Sequence, residues 1–322
     1  MLHHVKLISL SANLELTKKI SQRLGAPILD SKVIHFADGE ILFESNETFR
    51  GDDVYIIQST CSPVTDRLME LLICVDALKR ASARSINAVI PYYGYARQER
   101  KAKPRQPISA RLVADLLTTA GVDRVICMDL HAPQIQGFFN IPIDDISAIN
   151  IFASYFDKKG LKNIACVSPD HGGVVRASKL AGKLNASLVI IDKRRTRPNV
   201  SEIVAIVGNV KNKNCIIVDD IVDTAGTLCH AADKLKELGA KKVFAVITHG
   251  ILSGDAIKNI MNSGLDEMVI TDTIPLSKEK RCPKLKVLSV DKLLSDVIRA
   301  IVNGKSLSYT LHDFSKTVRG KK

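Results

Sequence analysis

The chain has 322 residues, of which 46% are apolar and 25% charged, so it can form ordinary hydrophobic cores without disulfides or structural metals. Its formal net charge of +12 favours anionic partners such as nucleic acids, membrane surfaces or phosphorylated small molecules. The N-terminal segment lacks the pattern of a signal peptide, and no run of about 18 apolar residues is present to span a membrane. We therefore expect neither secretion nor a membrane partner.

The seven cysteines are scattered along the sequence, and no two of them form a C-x-x-C pair. Several lie within apolar runs, which indicates buried thiols and disfavours a zinc site or a disulfide framework. Reduced, buried thiols are typical of cytosolic proteins. We therefore expect a cytoplasmic protein.

Short β-branched segments alternate with segments of helical periodicity through the first half of the chain. The predicted strands are Val5–Ser9, Asp53–Ser59, Ile86–Pro91 and Arg124–Met128. The predicted helices are Asn13–Leu24, Thr65–Ala83 and Ser109–Ala120. In the second helix, apolar residues recur at the spacing of a buried helix face, namely at Leu68, Leu71, Leu72, Val75 and Leu78.

A second series of the same kind fills the rest of the chain. Its predicted strands are Asn163–Val167, Ser187–Asp192, Cys215–Asp219, Lys242–Thr248, Met268–Ile270 and Lys286–Val290. Its predicted helices are Gly173–Leu184, Gly226–Leu238, Asp255–Met261 and Asp291–Val302. Such alternation predicts an α/β protein with parallel sheets covered by helices. Because the series occurs twice, we predict two similar domains, residues 1–147 and 148–322, each a mostly parallel sheet flanked by helices.

The segment CIIVDDIVDTAGT, residues 215–227, joins an apolar strand, two acids and a turn that opens a helix. Open α/β sheets bind ligands at the carboxyl ends of their strands, where Asp219 and Asp220 stand. Their carboxylates suit sugar hydroxyls or hydrated Mg2+. The small and hydroxyl-bearing residues of Asp223–Thr227, next to a helix N-terminus, suit a phosphate. An ordinary strand–turn–helix with an acidic cap is the alternative, and the combination of features disfavours it.

This segment resembles the sugar-phosphate motif of type I phosphoribosyltransferases. The resemblance implies that Asp219 and Asp220 hold the 2- and 3-hydroxyls of a ribose. It also implies that the 5-phosphate is enclosed by Asp223, Thr224, Ala225, Gly226 and Thr227.

Further motifs resemble ribose-phosphate pyrophosphokinases, in order, across nearly the whole chain. They are FADGE (Phe36–Glu40), PYYGYARQERK (Pro91–Lys101), DLHAPQIQGFF (Asp129–Phe139), VSPDHGG (Val167–Gly173) and DKRRTRPNV (Asp192–Val200). In that family the 1-hydroxyl of ribose 5-phosphate attacks the β-phosphorus of ATP, which gives PRPP and AMP. The resemblance implies this activity and a phosphoribosyltransferase-like fold for both domains.

The resemblance assigns catalysis to the DKRR segment, just beyond a predicted strand. Lys193 and Arg195 are similar to a catalytic pair on a mobile loop, and Arg195 is also implied in binding ribose 5-phosphate. Guanidinium and ammonium groups suit a transfer in which negative charge accumulates on phosphate oxygens. From the residues alone, a solvated basic turn is the alternative.

The resemblance also implies an ATP site. Its residues are Asp38, Gly39, Glu40, Arg97 and Gln98. The basic stretch from Tyr92 to Arg111 could otherwise indicate nucleic-acid binding. However, it contains an ATP-site motif and the chain shows no nucleic-acid-binding module, so we expect no nucleic-acid partner.

Two residues resemble those associated with the Mg2+ cofactor, His131 and Asp170. Mg2+ prefers oxygen ligands, so His131 is expected to act in part through water or orientation. His171 stands where we expect a small or apolar residue before two glycines. It either fills local space or affects the neighbouring metal region.

Many members of the family form hexamers built from dimers, which phosphate activates and ADP inhibits at subunit contacts. A homo-oligomer is therefore expected, with segments around Arg50, Ser82, Arg84, Ser306 and Ser308 similar to the phosphate-binding region. Two other functions stay open. A phosphoribosyltransferase that consumes PRPP would leave FADGE and ARQ unused, and a non-catalytic partner of a true synthetase would not need Lys193 and Arg195.

Overall fold

The computed structural model describes residues 4–197 and 200–319, without the side chains of residues 193–204, 313 and 315–319. It divides into two compact units. The first unit runs to Ser147 and also contains Thr273–Pro275 and Ser289–Leu311. The second unit contains Ala148–Asp272, Leu276–Leu288 and the residues from His312 onward.

The first unit contains a five-stranded sheet in the order β1-β4-β5-β6-β7, in which all neighbours are parallel. These strands are β1 (Val5–Ser9), β4 (Asp53–Ile57), β5 (Ser85–Ile90), β6 (Arg124–Met128) and β7 (Ile143–Ile146). A separate antiparallel hairpin consists of β2 (Ser31–His35) and β3 (Ile41–Ser45). The helices are α1 (Leu14–Leu24), α2 (Val64–Arg80), α3 (Ser109–Ala120) and, from later in the chain, α8 (Asp291–Val302).

The second unit contains a seven-stranded sheet in the order β10-β9-β8-β11-β12-β13-β14. Its strands are β8 (Ile164–Ser168), β9 (Ser187–Arg197), β10 (Val200–Val207), β11 (Asn214–Val222), β12 (Lys242–Gly250), β13 (Glu267–Thr271) and β14 (Leu285–Leu288). Its helices are α4 (Ile149–Lys159), α5 (Val174–Leu184), α6 (Gly226–Glu237) and α7 (Ala256–Asn262). A last helix, α9 (Leu307–Arg319), crosses the boundary between the units at residues 311 and 312.

The predicted fold class is confirmed, since both sheets are mostly parallel and carry helices between their strands. Only the edge pair β9–β10 is antiparallel in the second sheet. The sequences of these strands are nearly continuous apolar runs, because helices cover both faces of the sheets. In β11, for example, Cys215–Val218 are all buried.

Helix α8 belongs to the first unit, whereas the sequence placed residues 148–322 in one domain. The helix packs against α1, and Arg299 Nη2 donates a hydrogen bond to the Arg23 carbonyl oxygen at 2.6 Å. An ion pair between Arg23 and Asp291 joins the same two helices. The first unit is thus discontinuous in sequence, because it contains residues up to Ser147 and two later segments.

Strand β9 extends further than the sequence indicates. The prediction ended this strand at Asp192, with DKRR as a loop beyond it. In the structure the backbone continues to Arg197, because β10 pairs with it in antiparallel register. Lys193 is opposite Ile203 and Arg195 is opposite Ser201 in this pairing.

Candidate active site

A cavity of about 170 Å³ lies at the carboxyl end of β11, in the second unit. Its wall comes from two connections, the turn after β8 and the turn between β11 and α6. The lining residues are Pro169, Asp170, Asp219 and Ile221–Leu228. The residues that the sequence predicts for ribose 5-phosphate therefore lie together, apart from Asp220 beside the lining and Arg195, whose side chain is outside the described residues.

The two acids of the predicted ribose site are paired with an arginine that sequence reasoning missed. Arg176 of α5 places Nη1 3.5 Å from Asp219 Oδ1 and 3.3 Å from Asp220 Oδ1. Asp220 is buried, and its backbone N–H donates to Asp219 Oδ1 at 2.9 Å. Nothing in the sequence around Arg176 links it to Asp219, 43 positions away, or to the next residue, so only the fold brings them together.

Electrostatics make this acid pair hold a proton more tightly than isolated carboxyl groups do. Burial, followed by the neighbouring Asp220 carboxylate, raises the pKa of Asp219 to about 8, and the Arg176 charge opposes the rise. Two like charges at this separation do not both ionise easily, and the shared proton belongs to the pair. At neutral pH the pair therefore carries less negative charge than two free aspartates.

The turn after β11 has the geometry of an anion-binding loop. Ala225 precedes α6 with a φ of 61°, a left-handed conformation that is uncommon for alanine. The turn is held by Asn259, which donates to the Thr224 carbonyl oxygen at 2.9 Å. The N–H groups of the first helical turn, at Gly226–Leu228, have no acceptor within the helix and carry its positive potential. A Cβ added at Gly226 would meet nothing within 4 Å, so there is open space above it.

The turn that carries Asp170 is also ordered by its own hydrogen bonds. Ser168 Oγ donates to the Asp170 carbonyl oxygen at 2.6 Å, and the Gly173 N–H donates to Asp170 Oδ1 at 3.0 Å. The next residue, His171, places Nε2 3.1 Å from Asp192 Oδ1. His171 thus does more than fill space, since it connects this turn to the strand that carries Lys193.

The predicted catalytic pair lies on the backbone of β9. The side chains of Lys193 and Arg195 lie outside the described residues, so the structure gives no distance from them to the cavity. Their assignment stays a prediction.

In the first unit, Asp38, Gly39 and Glu40 lie at the exposed turn of the β2–β3 hairpin. The Glu40 N–H donates to Asp38 Oδ1 at 3.1 Å, and the Gly39 N–H donates to the Phe36 carbonyl oxygen at 3.0 Å. Gly39 has a φ of 94°, which favours glycine at this position. The turn presents two acidic side chains, Asp38 and Glu40, and one apolar side chain, Phe36, to solvent.

Arg97 and Gln98 lie in the loop after β5, and both are exposed. The loop passes close to Thr60, whose Oγ1 accepts a hydrogen bond from the Gly94 N–H at 2.6 Å. A Cβ at Gly94 would stand 2.4 Å from the Thr60 carbonyl oxygen, so only glycine permits this approach. Ser109 Oγ donates to Gln98 Oε1 at 2.6 Å, which fixes the end of the loop against α3.

The two predicted metal residues belong to different units. His131 is an exposed residue after β6 in the first unit, and Asp170 lines the cavity of the second. Over the described residues, no group of three or more histidine, cysteine or acidic side chains is arranged to hold a metal ion by itself.

Comparison with known proteins identifies the family. Residues 5–121 match the model of the N-terminal domain of ribose phosphate pyrophosphokinase, and residues 184–312 match that of the phosphoribosyl synthetase-associated domain. Ribose-phosphate pyrophosphokinase from Bacillus caldolyticus is 54% identical over 306 residues, which cover 95% of this chain and 97% of that protein.

The chain belongs to the ribose-phosphate pyrophosphokinase family. The family protein of Fusobacterium nucleatum is 52% identical over 308 residues, which cover 95% of this chain and 98% of that protein. The crystal structure of phosphoribosylpyrophosphate synthetase from Mycobacterium smegmatis superposes with a TM-score of 0.87 at 40% identity. This match covers 94% of this chain and 99% of the Mycobacterium smegmatis chain, so the similarity to the family extends through both units.

The acid pair predicts that the stability of this protein depends on pH. A carboxyl group with a raised pKa binds its proton more tightly in the folded state, so folding loses stability as pH rises from about 4 towards 8. Replacing Asp219 by asparagine removes that ionisation. The free energy of unfolding of Asp219→Asn, relative to the unmodified protein, should therefore increase between pH 5 and pH 8 by at least about 1 kcal/mol.

Urea unfolding at pH 5, 6.5 and 8 measures this difference. Asp255→Asn, which changes an exposed carboxyl group at the start of α7, serves as the control and should show no such trend. A difference between Asp219→Asn and the unmodified protein that stays constant across this range would contradict the shared proton.

Proposed function

We propose that this chain transfers the β,γ-diphosphoryl group of ATP to the 1-hydroxyl of ribose 5-phosphate, which gives PRPP and AMP. The observation that carries the proposal is the cavity of the second unit, where an acid pair and a phosphate-binding turn stand together in a member of this family. In the reaction, the 1-hydroxyl oxygen forms a bond to the β-phosphorus. The bond from the β-phosphorus to the bridging oxygen of the α-phosphate breaks, AMP leaves with that oxygen, and the hydroxyl proton is released.

Ribose 5-phosphate fits the groups that line the cavity. The carboxyl groups of Asp219 and Asp220 accept hydrogen bonds from the 2- and 3-hydroxyls, and Arg176 keeps both acids in place. The 5-phosphate binds at Asp223–Thr227, where the hydroxyls of Thr224 and Thr227 and the first N–H groups of α6 act as donors. This arrangement holds the nucleophilic sugar and leaves its activation to other residues.

ATP binds through exposed groups of the first unit. Asp38, Gly39 and Glu40 contact the adenine side of the nucleotide from the hairpin turn, and Arg97 and Gln98 contact it from the loop after β5. Support comes from their exposure and from the hydrogen bonds that fix both segments.

Mg2+ is the proposed cofactor. Asp170 is a hard oxygen ligand whose orientation is fixed by the Gly173 N–H, and it shares the cavity with Asp219 and Asp223. The donor set fits an ion that keeps waters and uses phosphate oxygens of the substrates as its other ligands, which is the usual coordination of Mg2+. When bound, the ion would neutralise charge on the phosphate oxygens. The proposed role of His131, which belongs to the first unit, rests on the family resemblance alone.

Lys193 and Arg195 supply the positive charge needed in the transition state. In diphosphoryl transfer, negative charge accumulates on oxygens of the transferred group in the transition state. Cationic side chains therefore stabilise the transition state more than the ground state. Arg195 also contacts ribose 5-phosphate. This assignment rests on the resemblance of DKRR to the family motif.

An assay with ATP, Mg2+ and ribose 5-phosphate tests the activity and this pair together. We expect AMP to form in step with PRPP. Lys193→Ala should lower kcat by at least about 100-fold with little change in KM, because a charge that acts in the transition state is lost. Lys179→Ala, which changes an exposed lysine on α5, is the control.

The outcomes of this assay separate the alternatives. ATP binding without AMP release would favour a non-catalytic partner. No AMP release in this assay, with consumption of PRPP when PRPP and a nucleobase are supplied instead, would favour a phosphoribosyltransferase. A rise in KM alone for Lys193→Ala would show that Lys193 has no role in the transition state.

The open space above Gly226 predicts a variant that folds but binds ribose 5-phosphate poorly. A valine side chain there meets no protein atom near its Cβ, and it would occupy the space proposed for the phosphate. Gly226→Val should therefore raise the KM for ribose 5-phosphate at least about tenfold. A change of this size corresponds to the loss of roughly one hydrogen bond to a charged group. Steady-state kinetics measure this change.

Gly182→Val is the matched control for Gly226→Val. Gly182 lies on an exposed part of α5, and a Cβ there also meets nothing within 4 Å. Both variants should unfold at nearly the temperature of the unmodified protein. Equal KM values for the two would exclude this turn as the phosphate site.

We also propose a cytoplasmic homo-oligomer, a hexamer, that responds to phosphate and ADP. The seven cysteines form no disulfides, as expected in a reducing compartment. In the described ranges, no helix is long and apolar enough to cross a membrane. Arg50 Nη1 donates to Ser82 Oγ at 3.2 Å, so two of the residues similar to a phosphate-binding region are neighbours on an exposed surface.

Sedimentation velocity with and without inorganic phosphate tests the assembly. The active species should have about six times the mass of the 35.3 kDa chain, and phosphate should raise its activity. Arg50→Ala should weaken the response to phosphate, because an exposed guanidinium that can fork onto phosphate oxygens is lost. An active monomer that is insensitive to phosphate would reject the proposal.

A further inference from the structure

A fully buried carboxylate, that of Glu70, lies in the middle of α2 in the first unit. Outside the β2–β3 hairpin, three side chains of the first unit donate hydrogen bonds to Glu70. Gln58 Nε2 donates to its Oε2 at 2.7 Å, Arg67 Nη1 donates to its Oε1 at 3.2 Å, and Ser11 Oγ donates to its Oε2 as well. A buried carboxylate requires such donors, and these three come from the loops after β1 and β4 and from α2 itself.

The hairpin supplies a further donor to the same carboxylate. His35 Nε2 lies 3.1 Å from Glu70 Oε1, and 46% of the His35 side chain is exposed while Glu70 is not exposed at all. His35 is the last residue of β2, immediately before the turn Phe36–Glu40. The contact therefore connects that turn to the buried polar cluster.

The hairpin has a second attachment further from the turn. Phe43 of β3 is buried in the core of the first unit together with Leu71 and Val75 of α2. An apolar anchor of this kind holds the sheet of the hairpin against the helix, but it is non-directional. A hydrogen bond with defined geometry at His35 fixes the end that carries the turn.

We infer that His35 and Glu70 are positioning residues for nucleotide binding, because their hydrogen bond sets the location of the turn that carries Asp38 and Glu40. This inference rests on the proposed function, in which that turn contacts ATP. The bond makes no contact with the reacting atoms, so its loss should weaken binding of the nucleotide and spare the other substrate.

His35 can be replaced without leaving the buried Glu70 carboxylate unpaired. When its ring is removed, Glu70 keeps Ser11, Gln58 and Arg67 as donors. His35→Leu therefore removes one hydrogen bond at a partly exposed position. His35→Arg replaces it with a guanidinium that can donate to the same carboxylate.

The test compares these variants with a control on the same strand. Lys32, an exposed residue of β2, is changed to leucine as the control. The Kd for ATP with Mg2+ is measured by calorimetry, and KM for both substrates and kcat are measured in the product assay. We expect His35→Leu to raise Kd and KM for ATP about fivefold, with kcat and the KM for ribose 5-phosphate nearly unchanged. His35→Arg should restore both ATP values, and Lys32→Leu should leave them unaltered.

Two results would overturn the inference. One is an ATP affinity of His35→Leu equal to that of Lys32→Leu. The other is a similar rise in KM for both substrates with a lower unfolding temperature and no recovery in His35→Arg, since that result indicates a general structural defect. Failure of the proposed function is distinguishable, because the unmodified protein would then bind ATP without forming PRPP, and the Kd comparison would still decide the role of His35.

Discussion

Adjacent carboxylates on a strand repel each other, and Asp219 and Asp220 stand on β11 next to residues that are almost all buried. Two features of the second unit compensate for this repulsion. Arg176 contacts both acids from α5, and the N-terminus of α6 directs its positive potential to the same edge. Both compensations depend on the parallel pairing of β8 with β11, which brings the starts of α5 and α6 to one edge of the sheet.

At the carboxyl edge of the first sheet, neutral hydroxyl groups hold the neighbouring loop in place. Ser59 and Thr60, after β4, are buried and hydrogen-bond to the loop after β5 through the Tyr92 and Gly94 N–H groups. Buried hydroxyls need partners, and here the partners are backbone groups of a loop that carries Arg97 and Gln98. The loop is thus held by the sheet beneath it, so exposed Arg97 and Gln98 stand on an ordered backbone.

Much of this fold is predictable from apolar periodicity, and what is missed has identifiable causes. Strands β1 and β6 and helices α3 and α8 have the predicted bounds, because each combines a strong period with a clear end. The hairpin β2–β3 was missed because its residues are only partly buried, so the alternation of polar and apolar residues is weak. The extension of β9 was missed because it depends on pairing with β10 and not on its own composition.

The same distinction holds for the sites. The acids and the turn of residues 215–227 are contiguous in sequence, so one motif contains them. The roles of Arg176 and Glu70 are visible only in the structure, because each depends on contacts with residues on other elements. A lone arginine or glutamate on an amphipathic helix gives no sign of such a role in the sequence. Local motifs therefore predicted the groups proposed to touch the substrates, and the groups that position them required the fold.

The raised pKa of the acid pair also bears on how anionic substrates enter a site lined by carboxyl groups. Asp170, Asp219 and Asp223 share the cavity proposed for a sugar phosphate, and three full negative charges there would repel it. A proton shared by Asp219 and Asp220, together with the Arg176 charge, removes most of the negative charge of the pair. Because the net charge of the chain is +12, the longer-range field still favours anions. The acids can then provide acceptors for hydroxyl groups without excluding a phosphate from the turn proposed to bind it.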